Sequence, residues 1–328
     1  MSLLALSRHK ENIYLYVSIR YKYKTIATSF LRTTMVENKK LSTEDFSNVW
    51  KDEKNILPSG LKLDLVEHLL RQRLSPEWVQ AKQRVIEIMK LEQFDNNQEI
   101  KILDIGCGLG IDLLLVAEEA TRLGKTLSIT GLDQNSTLIE EAKALYIKQK
   151  DQLASNVAVE IVRGDILQMK FDDNTFDIVR SDITLQHVDL SKALAEIKRV
   201  LKVNGRLIAL EGGSGNLYSS DETLIKTYDA VLPNRRDGGC GIRLQFLLPK
   251  LGFEIKDSNP TAFLQTGEFL ASQDKDWVKL KGMGEISVSK GVLTEDESQS
   301  FQKRYMEACN TNQVLAASIL FIIEAVKC

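Results

Sequence analysis

Between residues 100 and 210, short apolar runs alternate with longer amphipathic ones, a rhythm that few folds satisfy. Ile100–Ile105, Leu127–Leu132, Val157–Val162, Phe176–Arg180 and Arg206–Leu210 have strand length and are rich in Ile, Val and Leu. Among them lie Ile111 to about Leu123, Ser136 to about Gln149, and Leu190–Leu201, which have helix length. Strands joined by helical crossovers lie parallel in one sheet, and the crossovers cover both of its faces. An α/β fold is therefore expected. After Glu211 the rhythm loosens. A helix is predicted around 221–231, a glycine-rich loop at Asp237–Gly241, a helix at Ile242–Leu251 and a strand at Phe253–Asp257. A charged helix over about 294–309 and a last strand at Leu315–Ala325 complete a count of seven strands.

The N-terminal part reads differently. Residues 41–98 are predicted helical. Leu61, Leu63, Leu65, Val66, Leu69 and Leu70 form one stripe, and Ser75-Pro76 reads as N-cap plus first-turn proline. The helix that follows would turn Trp78, Val79, Val85, Ile86, Ile88, Met89 and Leu91 toward a core and close near Asn96-Asn97. Residues 1–40 are a basic, disordered or targeting-like tail, and within residues 1–35 Arg8, Lys10, Arg20, Lys22, Lys24 and Arg32 face one acid, Glu11. A transit peptide has this bias, and so does sequence read upstream of a start at Met35.

Composition excludes several function classes. Among 328 residues, 43 Lys and Arg balance 45 Asp and Glu, a net charge of −2 that gives no basic surplus for nucleic acid. No uncharged apolar run approaches the length of a membrane span. Cys107, Cys240, Cys309 and Cys328 form no CxxC pair, and His9, His68 and His187 are the only histidines. A reduced, cytoplasmic setting without a disulfide framework or a metal site is expected, with organelle import as the alternative if residues 1–35 act as a transit peptide.

The first strand runs into Asp104-Ile105-Gly106-Cys107-Gly108-Leu109-Gly110, and a helix follows. Strand, glycine turn and helix make a nucleotide site, because glycine admits the ligand to the backbone and the helix N–H groups point at it. The spacing is G-x-G-x-G, where a dinucleotide fingerprint needs G-x-G-x-x-G and a phosphate loop needs G-K-[S/T]. An acid two residues before the first glycine suits a ligand that carries an ammonium group.

With these residues in view, the chain resembles class I S-adenosylmethionine-dependent methyltransferases. Leu103–Gly110 resembles the family's first motif, which implies cofactor contacts for Asp104, Gly106, Cys107, Gly108 and Gly110. Gly131-Leu132-Asp133 ends the second strand with an acid, which implies ribose binding by Asp133 with Gln134 beside the adenine. Gly164-Asp165-Ile166 matches the segment that meets the adenine, and Phe176–Ser181 matches the fourth strand and adds Ser181. Glu196–Gly205 resembles the helix and turn into strand five, with Val203-Asn204-Gly205 where the family usually has Pro-Gly-Gly. The run Thr184-Leu185-Gln186-His187-Val188 resembles the ubiquinone- and menaquinone-methyltransferase-like small-molecule subgroup. The resemblance implies a Rossmann-like, mostly parallel seven-stranded sheet, a helical lid over 41–98, a methyltransferase domain over 99–328 and substrate elements within about 212–310.

The resemblance implies a small organic acceptor methylated at oxygen, nitrogen or carbon, and leaves the oligomeric state open. His187 is the candidate base, since an imidazole titrates near neutrality and follows strand four at the sheet's ligand-binding end. A packing role beside the methionine part of the cofactor is the other reading. Cys107 is either a reactive thiol or a small residue fitting a tight turn. Phe46, Trp50 and Trp78 either face the sulfonium or pack in a core, and Arg243 is either an acid-binding group or a surface arginine. No cysteine follows a proline, and Ser181-Asp182-Ile183-Thr184 stands where amino-group nucleic-acid methyltransferases carry Asn-Pro-Pro-Tyr. A binding protein without turnover, a protein or tRNA methyltransferase, and a nicotinamide oxidoreductase are the competing readings.

Overall fold

The computed structural model describes residues 65–72, 76–231, 239–274, 284–285, 287–289 and 291–328. The basic tail, Phe46, Trp50, Ser75 and the first two residues of the predicted 237–241 loop fall outside the described residues, and Cys240 and Gly241 of that loop belong to a helix.

Seven strands form one sheet. They are β1 (Glu99–Ile105), β2 (Thr126–Asp133), β3 (Val157–Arg163), β4 (Phe176–Asp182), β5 (Leu201–Ser219), β6 (Phe253–Thr266) and β7 (Val314–Lys327), in the order β3-β2-β1-β4-β5-β7-β6. The first five run parallel, and β7 is antiparallel to both β5 and β6. Because the inner parallel strands are buried on both faces, successive residues feed opposite cores. Ile102, Ile178, Ile208 and Ile322 join one core, whereas Leu103, Val179, Ala209 and Ile323 join the other.

Helices cover both faces, as expected. Helices α1 (Leu65–Gln72), α2 (Pro76–Ile88), α3 (Ile111–Leu123) and α4 (Ser136–Gln149) supply the first core with Leu70, Val85, Leu113 and Leu138. Helices α5 (Leu190–Val200) and α7 (Cys240–Lys250) supply the second with Ala193, Ile197, Leu244 and Leu248. Beyond the sheet's carboxyl end, α6 (Glu222–Val231), α8 (Gly267–Asp274) and α9 (Glu295–Asn310) enclose a third core around Leu224, Leu270 and Phe301. Helix α9 opens with a capping box, in which Thr294 Oγ1 accepts from Glu297 N and the Glu297 carboxylate accepts from Thr294 N at 2.8 Å. No helix among the described residues is long and apolar enough to cross a membrane.

The predicted strands 206–210 and 253–257 are both too short. Strand β5 continues through Gly212-Gly213-Ser214-Gly215, a run that reads as a loop because glycine weakens strands. The glycines are there for packing. A Cβ on Gly213 would meet the Phe321 ring at 2.5 Å, and one on Gly241 would meet it at 2.9 Å. Strand β6 continues through Pro260, which a sheet edge tolerates because no neighbour needs its missing N–H. Helix α2 ends at Ile88, earlier than predicted, and Lys90 follows with φ of 49°.

Helix α2 is fastened to the sheet at its C-terminus. Arg206 Nη1 donates to Ile88 O at 3.0 Å, and Nη2 donates to Met89 O. The same guanidinium meets Glu324 at 3.0 Å, and Lys90 Nζ meets the other oxygen of that carboxylate at 2.8 Å. Glu324 is buried in β7, and its pKa is held low against desolvation by the Lys90 and Arg206 hydrogen bonds. We expect Arg206→Leu to lower unfolding stability by about 3 kcal/mol, read as a lower urea midpoint at unchanged m, because it strips a buried carboxylate of one cation.

Candidate active site

The glycine turn lies where β1 ends beside β2 and β4. Gly106, Gly108 and Gly110 have φ of +67°, +52° and +69°, a conformation that glycine adopts without strain. Gly106 N and Cys107 N donate to Leu132 O at 2.7 and 3.1 Å, so the turn is tied to the end of β2. Close approach matters most at Gly106, where an added Cβ would lie 2.2 Å from Thr184 Oγ1. Thr184 therefore sits directly against the turn.

Asp133 at the end of β2 bridges the two loops that follow β1 and β2. Its Oδ2 accepts from Gly108 N and its Oδ1 from Asn135 N, both at 2.9 Å. Burial raises its pKa, while backbone hydrogen bonds from Asn135, Gly108 and Gln134 oppose the rise. Gln134 is partly buried next to it, and its carbonyl accepts from Arg163 Nε at 3.1 Å. Asp165 is exposed and caps its own turn by accepting from Leu167 N at 2.8 Å, whereas Ile166 is buried in the second core.

Cys107 is buried, and burial pushes its thiol pKa well up, with the charges of Asp133 and Asp104 adding to the effect. A reactive thiolate needs the opposite environment. A Cβ on Gly131 would approach Cys107 Sγ to 2.9 Å, so a small side chain is what this turn accommodates.

Asp104 is 2% exposed and belongs to a buried ionic cluster. Arg180 Nη1 on β4 meets it at 2.9 Å, and Nη2 meets Asp112 at 2.9 Å and Asp182 at 3.0 Å. Lys82 Nζ of α2 meets Asp112 at 2.7 Å, contacts Asp182 and lies 5.6 Å from the Trp78 ring centroid. Trp78 is thus a partner of Lys82 and also stacks at 5.4 Å on Phe263. The sequence motifs hold Asp104, Arg180 and Asp182 but do not reveal the cluster. The available signals were a lysine at a stripe position of α2, between Val79 and Ile86, and an arginine inside a buried strand.

Glu211 is the second residue that the sequence reading missed. It is 0% exposed at the sheet's carboxyl end, and Ser181 Oγ donates to its Oε1 at 2.6 Å. Ser181 is thereby engaged with the protein itself. Leu185 N and Thr184 N donate to the same oxygen at 3.1 and 3.2 Å. Leu185–His187 form one 3-10 turn, in which His187 N donates to Thr184 O at 3.0 Å. The His187 ring is partly buried, and its Nε2 lies 3.1 Å from Gln186 Nε2. Arg243 is exposed on α7.

Burial raises the Glu211 pKa to about 7, despite hydrogen bonds from Ser181 and the turn amides that lower it. A carboxyl whose folded pKa exceeds its unfolded value loses stability as pH rises through the folded value. Relative to wild type, Glu211→Gln should gain about 2–3 kcal/mol of unfolding stability between pH 5 and pH 8. Parallel urea titrations at the two pH values check this, because every other group is common to both proteins.

The model of a methyltransferase domain matches residues 103–209. An uncharacterized 37.1 kDa protein of transposon TN4556 from Streptomyces fradiae is 30% identical over 241 residues, covering 72% of this chain and 65% of that protein. Demethylmenaquinone methyltransferase of Staphylococcus aureus strain MRSA252 is 35% identical over 135 residues, covering 41% of this chain and 52% of the relative. The chain therefore spans between half and two thirds of the length of these relatives. Among solved structures, the geranyl diphosphate C-methyltransferase of Streptomyces coelicolor A3(2), in complex with Mg2+, geranyl diphosphate and S-adenosyl-L-homocysteine, aligns with a TM-score of 0.44. It is 12% identical, covering 94% of this chain and 98% of that one. Residues 103–209, which hold the glycine turn and the acid-ended second strand, are thus similar to a methyltransferase domain.

Proposed function

We propose that this protein transfers the methyl group of S-adenosylmethionine to a nucleophilic atom of a small organic acceptor. The observation that carries the reading is the glycine turn bonded to Asp133. Three positive-φ glycines leave a cradle that side chains would fill, and an acid at the end of β2 is already fixed by two backbone N–H groups. These residues fit the cofactor. Asp133 would hold the ribose hydroxyls, since a carboxylate accepts two hydrogen bonds at once. Gly106, Cys107, Gly108 and Gly110 would line the methionine part through the backbone, with Asp104 behind them. Gln134, Asp165 and Ile166 would border the adenine.

When bound, the cofactor supplies a methyl group already activated on a sulfonium. The chain's task is to orient an acceptor, exclude water and take up a proton. Orientation of this kind supplies about 7–11 kcal/mol of the barrier. His187, on the turn after β4, is the group we assign to the proton, and a base in that place contributes about 10²–10⁴-fold. Reduced naphthoquinones are the first acceptor class to try, because the relative named demethylmenaquinone methyltransferase shares 35% identity over 135 residues. Helix α2 and residues N-terminal to it would form the lid, and the third core would build the acceptor side. A cytoplasmic setting suits the four free thiols.

Calorimetric titration with S-adenosylhomocysteine, alongside NADH, tests the cofactor. We expect micromolar binding of the first and none of the second, with binding weakened about 10²-fold or more in Asp133→Ala, which loses hydrogen bonds to charged oxygen. Binding of NADH alone would overturn the reading. With 1,4-naphthohydroquinone as acceptor, whose ring carbon is free, His187→Gln should lower kcat by about 10²-fold or more while leaving S-adenosylhomocysteine affinity unchanged. Full turnover by that variant would remove His187 from the chemistry.

A further inference from the structure

The segment leaving β4 is held in a conformation that its own sequence does not favour. Ile183 has φ of +50°, a genuine outlier for a β-branched residue, which persists only where the surroundings over-determine it. Two consecutive residues of β5 do so. Leu210 O accepts from Ile183 N at 2.8 Å. Glu211 Oε1 then gathers Ser181 Oγ at 2.6 Å, Leu185 N at 3.1 Å and Thr184 N at 3.2 Å. One carboxylate oxygen thus clasps both sides of Ile183.

What the clasp holds faces two ways. On one side Thr184 lies against Gly106, whose added Cβ would meet its side chain at 2.2 Å. On the other side the turn continues into Gln186 and His187, whose side chains meet at 3.1 Å. Gly212, next after Glu211, leaves room for that glutamine, since a Cβ there would approach Gln186 Oε1 to 3.0 Å. Glu211 Oε2 is buried and has no hydrogen-bond partner, so only half of the carboxylate is used in the clasp. The titratable group facing it from α7 is the buried Cys240 thiol, which the Glu211 charge helps keep protonated.

We infer that Glu211 is a positioning residue for methyl transfer: its buried carboxylate clasps the Ser181–Leu185 segment and thereby sets the place of the His187 imidazole. The inference rests on the assignment of His187 as the base. Glu211 itself is fully buried under the loop. Its length matters more than its charge. Glutamine keeps one acceptor oxygen at the same reach, whereas aspartate keeps the charge and withdraws it by one methylene.

The test compares Glu211→Gln with Glu211→Asp in the full chain, using the amides of β1–β3 as the control for folding. In Glu211→Asp the Thr184 and Leu185 amides should exchange about tenfold faster or more than in wild type. The His187 ring, followed by 15N NMR in a chain with three histidines, should shift its titration by about half a pH unit. Glu211→Gln should restore both to wild-type values. Where wild type turns over 1,4-naphthohydroquinone, kcat should fall about 10²-fold in Glu211→Asp, the scale of a misplacement of about 1 Å, with an unchanged KM for S-adenosylmethionine. A Glu211→Asp protein with wild-type exchange and wild-type His187 titration would overturn the inference, as would a Glu211→Gln protein as impaired as Glu211→Asp. Exchange and ring titration need no acceptor. Failure of wild type to bind S-adenosylhomocysteine or to methylate 1,4-naphthohydroquinone therefore counts against the methyltransferase reading and leaves the test of Glu211 intact.

Discussion

Arg180 lies 2% exposed in the middle of β4, and burying a guanidinium there is costly unless each face of it meets a carboxylate. Asp104, Asp112 and Asp182 meet it, and Lys82 closes the cluster from α2. These partners come from four different places. Asp104 precedes the glycine turn, Asp112 follows it in the first turn of α3, Asp182 ends β4, and Lys82 belongs to the helix packed across them. No one of them can move without leaving a charge unpaired in a medium where that costs about 3–5 kcal/mol. The glycine turn is soft in itself, with three residues that accept almost any φ. It gains a fixed shape because both of its ends are anchored to one guanidinium. The three carboxylates outnumber the two cations, so a cationic group reaching the turn meets a negative field.

The same logic operates on the other side of β4, with the polarity reversed. There a single carboxylate, Glu211, answers several N–H and O–H donors. The two buried centres divide the ends of β1, β4 and β5 between them. The Arg180 cluster holds the turn and, through Lys82, helix α2, and Glu211 holds the loop that carries Thr184, Gln186 and His187. Thr184 against Gly106 is the contact through which the two meet. A shift in either centre is therefore transmitted to the other across one van der Waals contact with no spare volume.

Much of this was legible in the sequence. The glycine spacing, the acids ending β1 and β2, and the boundaries of α3 and α4 follow from local rules of turn, cap and period, and the structure has them at the predicted residues. The extensions of β5 and β6 were not legible. Gly212–Gly215 and Pro260 are read locally as breakers, whereas their roles are set by Phe321 and by the free sheet edge, both far away in the chain. The buried charges failed for a related reason. A lone Lys82 or Glu211 looks like a surface residue until a partner is known, and their partners are 30 residues away in each case, Asp112 and Ser181.

That division bears on how such a site is built. Local rules suffice to make a cradle, because a cradle needs only backbone that glycine permits. Holding a loop over a cradle needs side chains from separate strands to converge, and convergence is a property of strand order. Placing β4 between β1 and β5 brings Asp104 to one side of the Arg180–Ser181 pair and Glu211 to the other. Alternation along β4 then sends Arg180 to one face and Ser181 to the opposite one. Two neighbouring residues of one strand can thus serve two centres, one built around a guanidinium and one around a carboxyl group, with the sheet between them keeping the two apart.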